Sequence, residues 1–332
     1  MRSATDPAMP QALREAAAAF PVRLVLDIAN LVEEFVRLKP QVVHAWLDWD
    51  NVRAGLAAAI AGVPRIVISG RNLAPYHFKL YQPYMDAAYR ALARLPQVHF
   101  VNNSQAGADN YAEWIGIPRQ RIEVIYNGLD SGDRRRLSET ERTQGRAKLG
   151  IAPDSFVVGG VFRFDEEKRP LLWLEVASRL AAVSKRVRFI LYGQGPLREA
   201  MTRRIAALGL GNLVVMPGVT EDPLKAMSLM DVLLLTSRDE GLPNVVIEAQ
   251  LVGTAVVCTK AGGSAEALNP GKSGWVVDSD NPAEVANTVA NLISNAKALT
   301  TAMEQGPAFV RLKFGVDRMI AETLQAYALE PT

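Results

Sequence analysis

The chain has 332 residues, 49% of them hydrophobic, and a formal net charge of +2. That length and apolar content suit two domains with sizeable cores, and the near-balanced charge argues against a protein built chiefly to hold nucleic acid. The single cysteine, Cys258, permits no internal disulfide framework, and no apolar run reaches the roughly 18–20 residues that span a bilayer, so a cytoplasmic protein is expected.

In chain order, strands are predicted at 42–46, 65–69, 98–102 and 122–126, with helices at 31–38, 52–61 and 81–95. Residues 128–150 are polar, rich in Arg, Ser and Glu, and read as an interdomain linker leading into a helix. The basic run Arg134-Arg135-Arg136, with Lys79, is either a solvated surface or a point of peripheral membrane contact. From Phe156 onward, apolar runs at 156–161, 187–191, 213–216, 232–235, 255–257 and 275–277 alternate with helical stretches. One helix follows Pro170 and sets Leu171, Leu174, Ala177 and Leu180 on one face. Others are expected at 196–208, near Pro243, and after Pro282 with Val285, Val289 and Leu292. Residues 309–329 read as one terminal helix. Short apolar runs bounded by turns and alternating with helices predict an α/β domain with a parallel sheet covered on both faces, Rossmann-like in its second half.

Glu240 and Glu248 lie eight residues apart in the run from Ser237 to Ala249, one in a Gly-Pro loop and one in the helix that follows. The strand 232–235 runs into that loop, so a helix N-terminus and two acids face one crevice. Free N–H groups there attract phosphate, and carboxylates accept hydrogen bonds from sugar hydroxyls; a nucleotide-sugar offers both. Arg163 and Lys168 flank Phe164-Asp165-Glu166-Glu167 at the end of the strand from Phe156. They serve either as a phosphate fork and point charge or as surface partners of Asp165 and Glu166. Gly193-Gln194-Gly195 lacks the third glycine of a dinucleotide fingerprint and reads as a tight turn. Gly262-Gly263 follows the strand 255–257 and offers either a close backbone approach or an ordinary turn. Asp48-Trp49-Asp50 and Asp278-Ser279-Asp280 have the look of metal-holding acidic pairs, but Asp280 precedes Asn281-Pro282 and reads as a turn or cap. His44, His77 and His99 are too scattered for a zinc site, and no metal is expected.

Together these runs resemble retaining family-4 glycosyltransferases of the GT-B fold. The run Arg238 to Ala249 is similar to their E-x7-E element, and Arg163 to Lys168 to their Arg-x-x-x-Glu-Lys strand end. Asn127-Gly128-Leu129-Asp130 resembles their hinge, and 262–266 and 271–274 their two later loops. The resemblance implies two Rossmann-like domains facing a cleft: an acceptor domain at 1–130, a nucleotide-sugar domain at 131–308, and a helix at 309–330 packing back across the junction. It implies that Glu248 holds the ribose hydroxyls, that Glu240 lies near the transferred sugar, and that Arg163 and Lys168 neutralise the departing diphosphate. The N–H groups of Gly241, Leu242 and Asn244 would sit at the helix start, with Gly262 and Gly263 beside them. A UDP- or GDP-linked sugar would be the donor, and a glycan or lipid-linked hydroxyl the acceptor, without a cofactor and in polysaccharide or glycolipid assembly. Where the family often carries a histidine near the sugar, this chain reads Ser69-Gly70-Arg71-Asn72, so Arg71 or Asn72 would face the sugar or acceptor. Family members also begin with further strands and a Gly-rich loop, whereas a matching strand comes here only near Gln41 after an Ala-rich stretch at 11–20. An incomplete N-terminal domain with an exposed sheet edge is therefore expected. A nucleotide-sugar-binding module without transfer, or an epimerase or hydrolase on the same fold, are the alternatives.

Overall fold

The computed structural model describes residues 20–132 and 134–328, so the Ala-rich stretch at 11–19 and the terminal positions 329–330 lie outside the described residues. The chain forms two compact units, Met1–Tyr126 with Asp317–Thr332, and Asn127–Val316.

The first unit holds α1 (Val22–Leu38), β1 (Val42–Trp46), α2 (Asp48–Ala61), β2 (Arg65–Gly70), α3 (Tyr84–Ala93), β3 (Val98–Asn102), α4 (Gln105–Ile115) and β4 (Ile122–Val124). Its four strands are parallel in the order β1-β2-β3-β4. The helix expected at 31–38 starts nine residues earlier, because Leu24 and Ile28 extend the inward stripe of Leu31 and Phe35 by further turns. Sequence reading missed α4. Its N-cap, Ser104, accepts from the Gly107 amide at 3.0 Å, and its inward face is made of Ala108, Tyr111, Ala112 and Ile115. The strand predicted at 122–126 ends at Val124.

The second unit holds α5 (Glu139–Lys148), β5 (Phe156–Val161), α6 (Pro170–Val183), β6 (Val187–Tyr192), α7 (Arg198–Ala207), β7 (Val214–Gly218), α8 (Pro223–Ser228), β8 (Val232–Leu235), α9 (Asn244–Leu251), β9 (Ala255–Thr259), β10 (Gly274–Val277), α10 (Pro282–Ile293) and α11 (Ala296–Lys313). All six strands run parallel in the order β10-β9-β8-β5-β6-β7. From β5 the chain winds outward to β6 and β7, then returns to place β8 on the other side of β5. That reversal makes the carboxyl ends of β5 and β8 the place where an open α/β sheet holds its ligand. The polar linker docks through α5, where Arg142 and Arg146 each reach one oxygen of Asp231 at 2.9 Å.

The terminal helix predicted at 309–329 is two helices. Phe314 and Gly315 separate α11 from α12 (Val316–Tyr327). At this break Phe314 gives its carbonyl to the Leu129 amide, 2.7 Å away, so the outgoing and returning segments of the second unit are bonded side by side. Helix α12 belongs to the first unit, where Met319, Ala326 and Tyr327 pack against Val67, Val101 and Ile125. Arg65 donates to the Ala326 carbonyl and Arg318 to that of Tyr126, both at 2.8 Å. Among the described residues no helix is long and apolar enough to cross a membrane.

Candidate functional site

Sequence places Arg163 and Lys168 after β5, and Glu240 and Glu248 after β8. The sheet makes these strands neighbours, with Val158 paired to Val232 and Gly159 to Leu233. The loops therefore meet, and Lys168 Nζ lies 2.5 Å from Glu240 Oε1. Read singly, the lysine is a phosphate ligand and the glutamate a sugar ligand. In the structure each is the other's partner. Glu240 is only 6% exposed, and burying a charged group is costly unless it is paired. Arg163 behaves differently. Its side chain is 80% exposed and meets Asp165 at 3.1 Å, the surface pairing that the sequence also allowed. Asp165 in turn accepts from the Lys168 amide at 3.1 Å, which closes the loop between them.

The Gly193-Gln194-Gly195 turn supports that loop from beneath. The Gly193 amide donates to the Gly218 carbonyl at 2.8 Å and the Phe164 amide to Gln194 at 2.9 Å. Both glycines have positive φ, +144° and +159°, and a Cβ on either would strike the carbonyl of Phe162 or Phe164. The turn thus serves close packing of backbone on backbone.

The Glu240 loop is tied on three sides. The Arg238 amide donates to the Glu167 carbonyl at 2.8 Å, and the Gly263 amide to the Glu240 carbonyl at 3.3 Å. Asn127 Nδ2 donates to the Leu242 carbonyl at 3.2 Å and to Asn244 Oδ1 at 2.6 Å. The Gly263 amide is thereby engaged within the protein. Pro243 is the N-cap of α9, extended at φ −73° and ψ 108°. Gly241 and Leu242 are buried in the loop and Asn244 opens the helix at the surface. Glu248 follows about one turn later and is half-buried; burial pushes its carboxyl above the usual range. Gly262, at φ +45°, turns the chain after β9.

Arg71 and Asn72 lie in the first unit, directly after β2. The Arg71 guanidinium sits 4.7 Å from the centre of the Trp46 ring, and burial lowers its pKa. Asn72 Oδ1 accepts from the Leu73 amide at 2.9 Å, so the side chain shapes its own turn. His44 bonds Tyr327 Oη at 2.7 Å through Nδ1 and Ser69 Oγ at 2.6 Å through Nε2. Burial, and then the Arg71 charge, lowers its pKa from 6.5 to about 4, so it is neutral at pH 7.

The acidic pairs are engaged elsewhere. Asp48 Oδ1 accepts from Tyr89 and Tyr111, each at 2.6 Å, and Asp50 pairs with Arg53 at 2.5 Å. Asp278 pairs with Lys260 at 2.6 Å and Asp280 with Arg169 at 2.5 Å. Among the described residues no group of three or more His, Cys, Asp or Glu is arranged to hold a metal ion. Cys258 is buried, and burial pushes its thiol up to about 12.

Residues 141–308 match the glycosyl transferases group 1 family, and residues 7–132 match Glycosyltransferase Family 4. The Vi polysaccharide biosynthesis protein VipC/TviE of Salmonella typhi is 33% identical over 92% of this chain. The chain spans 54% of that relative's length. The 2-deoxystreptamine glucosyltransferase of Streptomyces kanamyceticus is 25% identical over 90% of this chain and 81% of its own. Among solved structures, Anabaena HepE in complex with UDP superposes with a TM-score of 0.79 at 26% identity, covering 90% of this chain and 82% of HepE. The same protein has been solved with UDP-glucose. The architecture is that of the GT-B glycosyltransferases.

Proposed function

The chain belongs to the group 1 glycosyl transferases, and on that premise we propose that it moves a sugar from a nucleoside diphosphate sugar to a hydroxyl of a glycan or lipid-linked acceptor, with retention at the anomeric carbon. The observation that carries this reading is the meeting of Lys168 with Glu240 at the switch point of the sheet, in the loop that leads into the helix carrying Glu248. Similarity to HepE, solved with UDP and with UDP-glucose, supports a uridine diphosphate donor. Similarity to a Vi polysaccharide biosynthesis protein supports polysaccharide assembly.

In this reading Glu248 accepts hydrogen bonds from the ribose hydroxyls. The diphosphate lies over the start of α9, against the N–H groups of Gly241, Leu242 and Asn244. Lys168, released in part from Glu240, meets the charge that grows on the diphosphate as the glycosidic bond breaks, and exposed Arg163 closes on it from the solvent side. Glu240 then holds the transferred sugar. The departing diphosphate takes the acceptor's proton, so no separate base is needed and charge stabilisation is the main catalytic contribution.

A thermal-shift panel of UDP-, GDP-, ADP- and TDP-sugars tests the donor. A ligand at a hundred times its Kd adds about 2.7 kcal/mol of stability. Nuclear magnetic resonance of the product then reads the anomeric configuration. An inverted product, or a melting temperature unmoved by every UDP- and GDP-sugar, sinks the proposal.

A further inference from the structure

Arg169 follows Lys168 in sequence and has a left-handed backbone, φ 48° and ψ 55°. A side chain there is strained relative to glycine, and such strain persists where the surroundings over-determine it. The surroundings are specific. Arg169 Nε donates to the Thr236 carbonyl at 2.6 Å, and Nη2 to the Ser237 carbonyl at 2.9 Å and to Thr259 Oγ1 at 3.1 Å. Its Nη1 pairs with Asp280 at 2.5 Å. Thr236 Oγ1 answers by donating to the carbonyls of Lys168 and Arg169, at 3.0 and 3.2 Å. Thr259 Oγ1 donates on to the Ser237 carbonyl at 2.8 Å.

One guanidinium thus gathers the carboxyl ends of β8 and β9 and the loop after β10, and its own backbone carries Lys168 at the end of β5. Thr236 and Ser237 lead directly to Glu240, and Thr259 leads to Gly262. A planar fork with donors on three nitrogens can hold several carbonyl ends in one plane; an ammonium cannot.

We propose that Arg169 is the positioning residue of the donor site: it sets the distance between the Lys168 strand end and the Glu240 and Gly262 loops. The proposal rests on the donor-site reading above. Arg169 touches no substrate. It acts through the loops it holds, and a displacement of about 1 Å at such a site costs up to about a hundredfold.

Arg169→Gly isolates the side chain, because glycine adopts the same backbone without strain and keeps both Thr236 bonds. Hydrogen exchange of the unliganded protein is expected to quicken in residues 236–244 and 259–264 while β5, β6 and β7 stay protected. UDP affinity by calorimetry is expected to fall by about tenfold to a hundredfold. Arg169→Lys does not restore it, whereas added methylguanidine partly restores Arg169→Gly, which a globally loosened protein would not show. Unchanged exchange in both loops, or an Arg169→Lys variant equal to the unsubstituted protein, overturns the proposal. If the unsubstituted protein binds neither UDP nor GDP, the donor reading fails on its own, and the exchange comparison still decides the role of Arg169.

Discussion

Glu248→Gln keeps the shape of the side chain and removes its charge. Burial raises the folded pKa of Glu248, so the folded state favours the protonated form more than the unfolded chain does. The sign follows from linkage: this group's contribution to stability is fully present below its unfolded value of 4.5 and is lost as pH rises through the folded pKa. Once ionised, the carboxylate is therefore a cost to the fold, and glutamine removes that cost. Nucleotide binding runs the other way. A hydroxyl donating to a carboxylate contributes about 1.5–3 kcal/mol, so losing the charged acceptor weakens UDP binding roughly 10- to 150-fold. The expected pattern is a melting temperature that rises slightly with a dissociation constant that rises steeply. Differential scanning fluorimetry and calorimetric titration with UDP at pH 7 read the two quantities on one preparation. The affinity of the unsubstituted protein should also fall as pH drops into the titration range of Glu248. Unchanged UDP affinity in Glu248→Gln refutes the ribose assignment. A melting temperature that falls together with the UDP affinity means that Glu248 is a structural residue.

Lys168→Ala leaves the Glu240 carboxylate buried without its counter-charge, which costs roughly 3–5 kcal/mol. The double variant Lys168→Met with Glu240→Gln should recover most of that loss in urea titration while transfer stays abolished; a double variant as unstable as the single one argues against the pair. His44 is held neutral with its pKa lowered to about 4, so its stabilising contribution is full above pH 6.5 and is lost as pH falls towards 4, by up to about 3 kcal/mol. His44→Gln should flatten the acid limb of the stability–pH curve, and an unaltered limb refutes the assignment.

The second unit was largely legible because its strands are buried on both faces. Runs such as Val232 to Leu235 are then continuously apolar and bounded by turn residues, a pattern no surface element imitates. Helices α4 and α8 were missed for the opposite reason. The inward face of α4 is built from small residues and one tyrosine, which carry little periodic contrast against Asp109, Asn110 and Glu113. In the site, the residue types and their order along the chain were legible. The bond between Lys168 and Glu240 was not, since it joins positions 72 apart whose side chains each have a plausible use alone. Arg169 left no local signal, because a positive φ and a guanidinium crossing three strand ends exist only after the sheet has formed.

Helix α12 completes the core of the first unit, yet it follows all of residues 127–316 in the chain. During synthesis at about 5–20 residues per second, the first four strands must wait for the whole second unit to emerge before Tyr327 can reach His44. The second unit is continuous and can close as soon as it is made. Birth order and folding order are thus reversed at the last step, and the first unit spends that interval with Val67, Val101 and Ile125 uncovered by their natural lid. A nascent chain halted just short of α12 presents that apolar surface to solvent, the condition that favours aggregation.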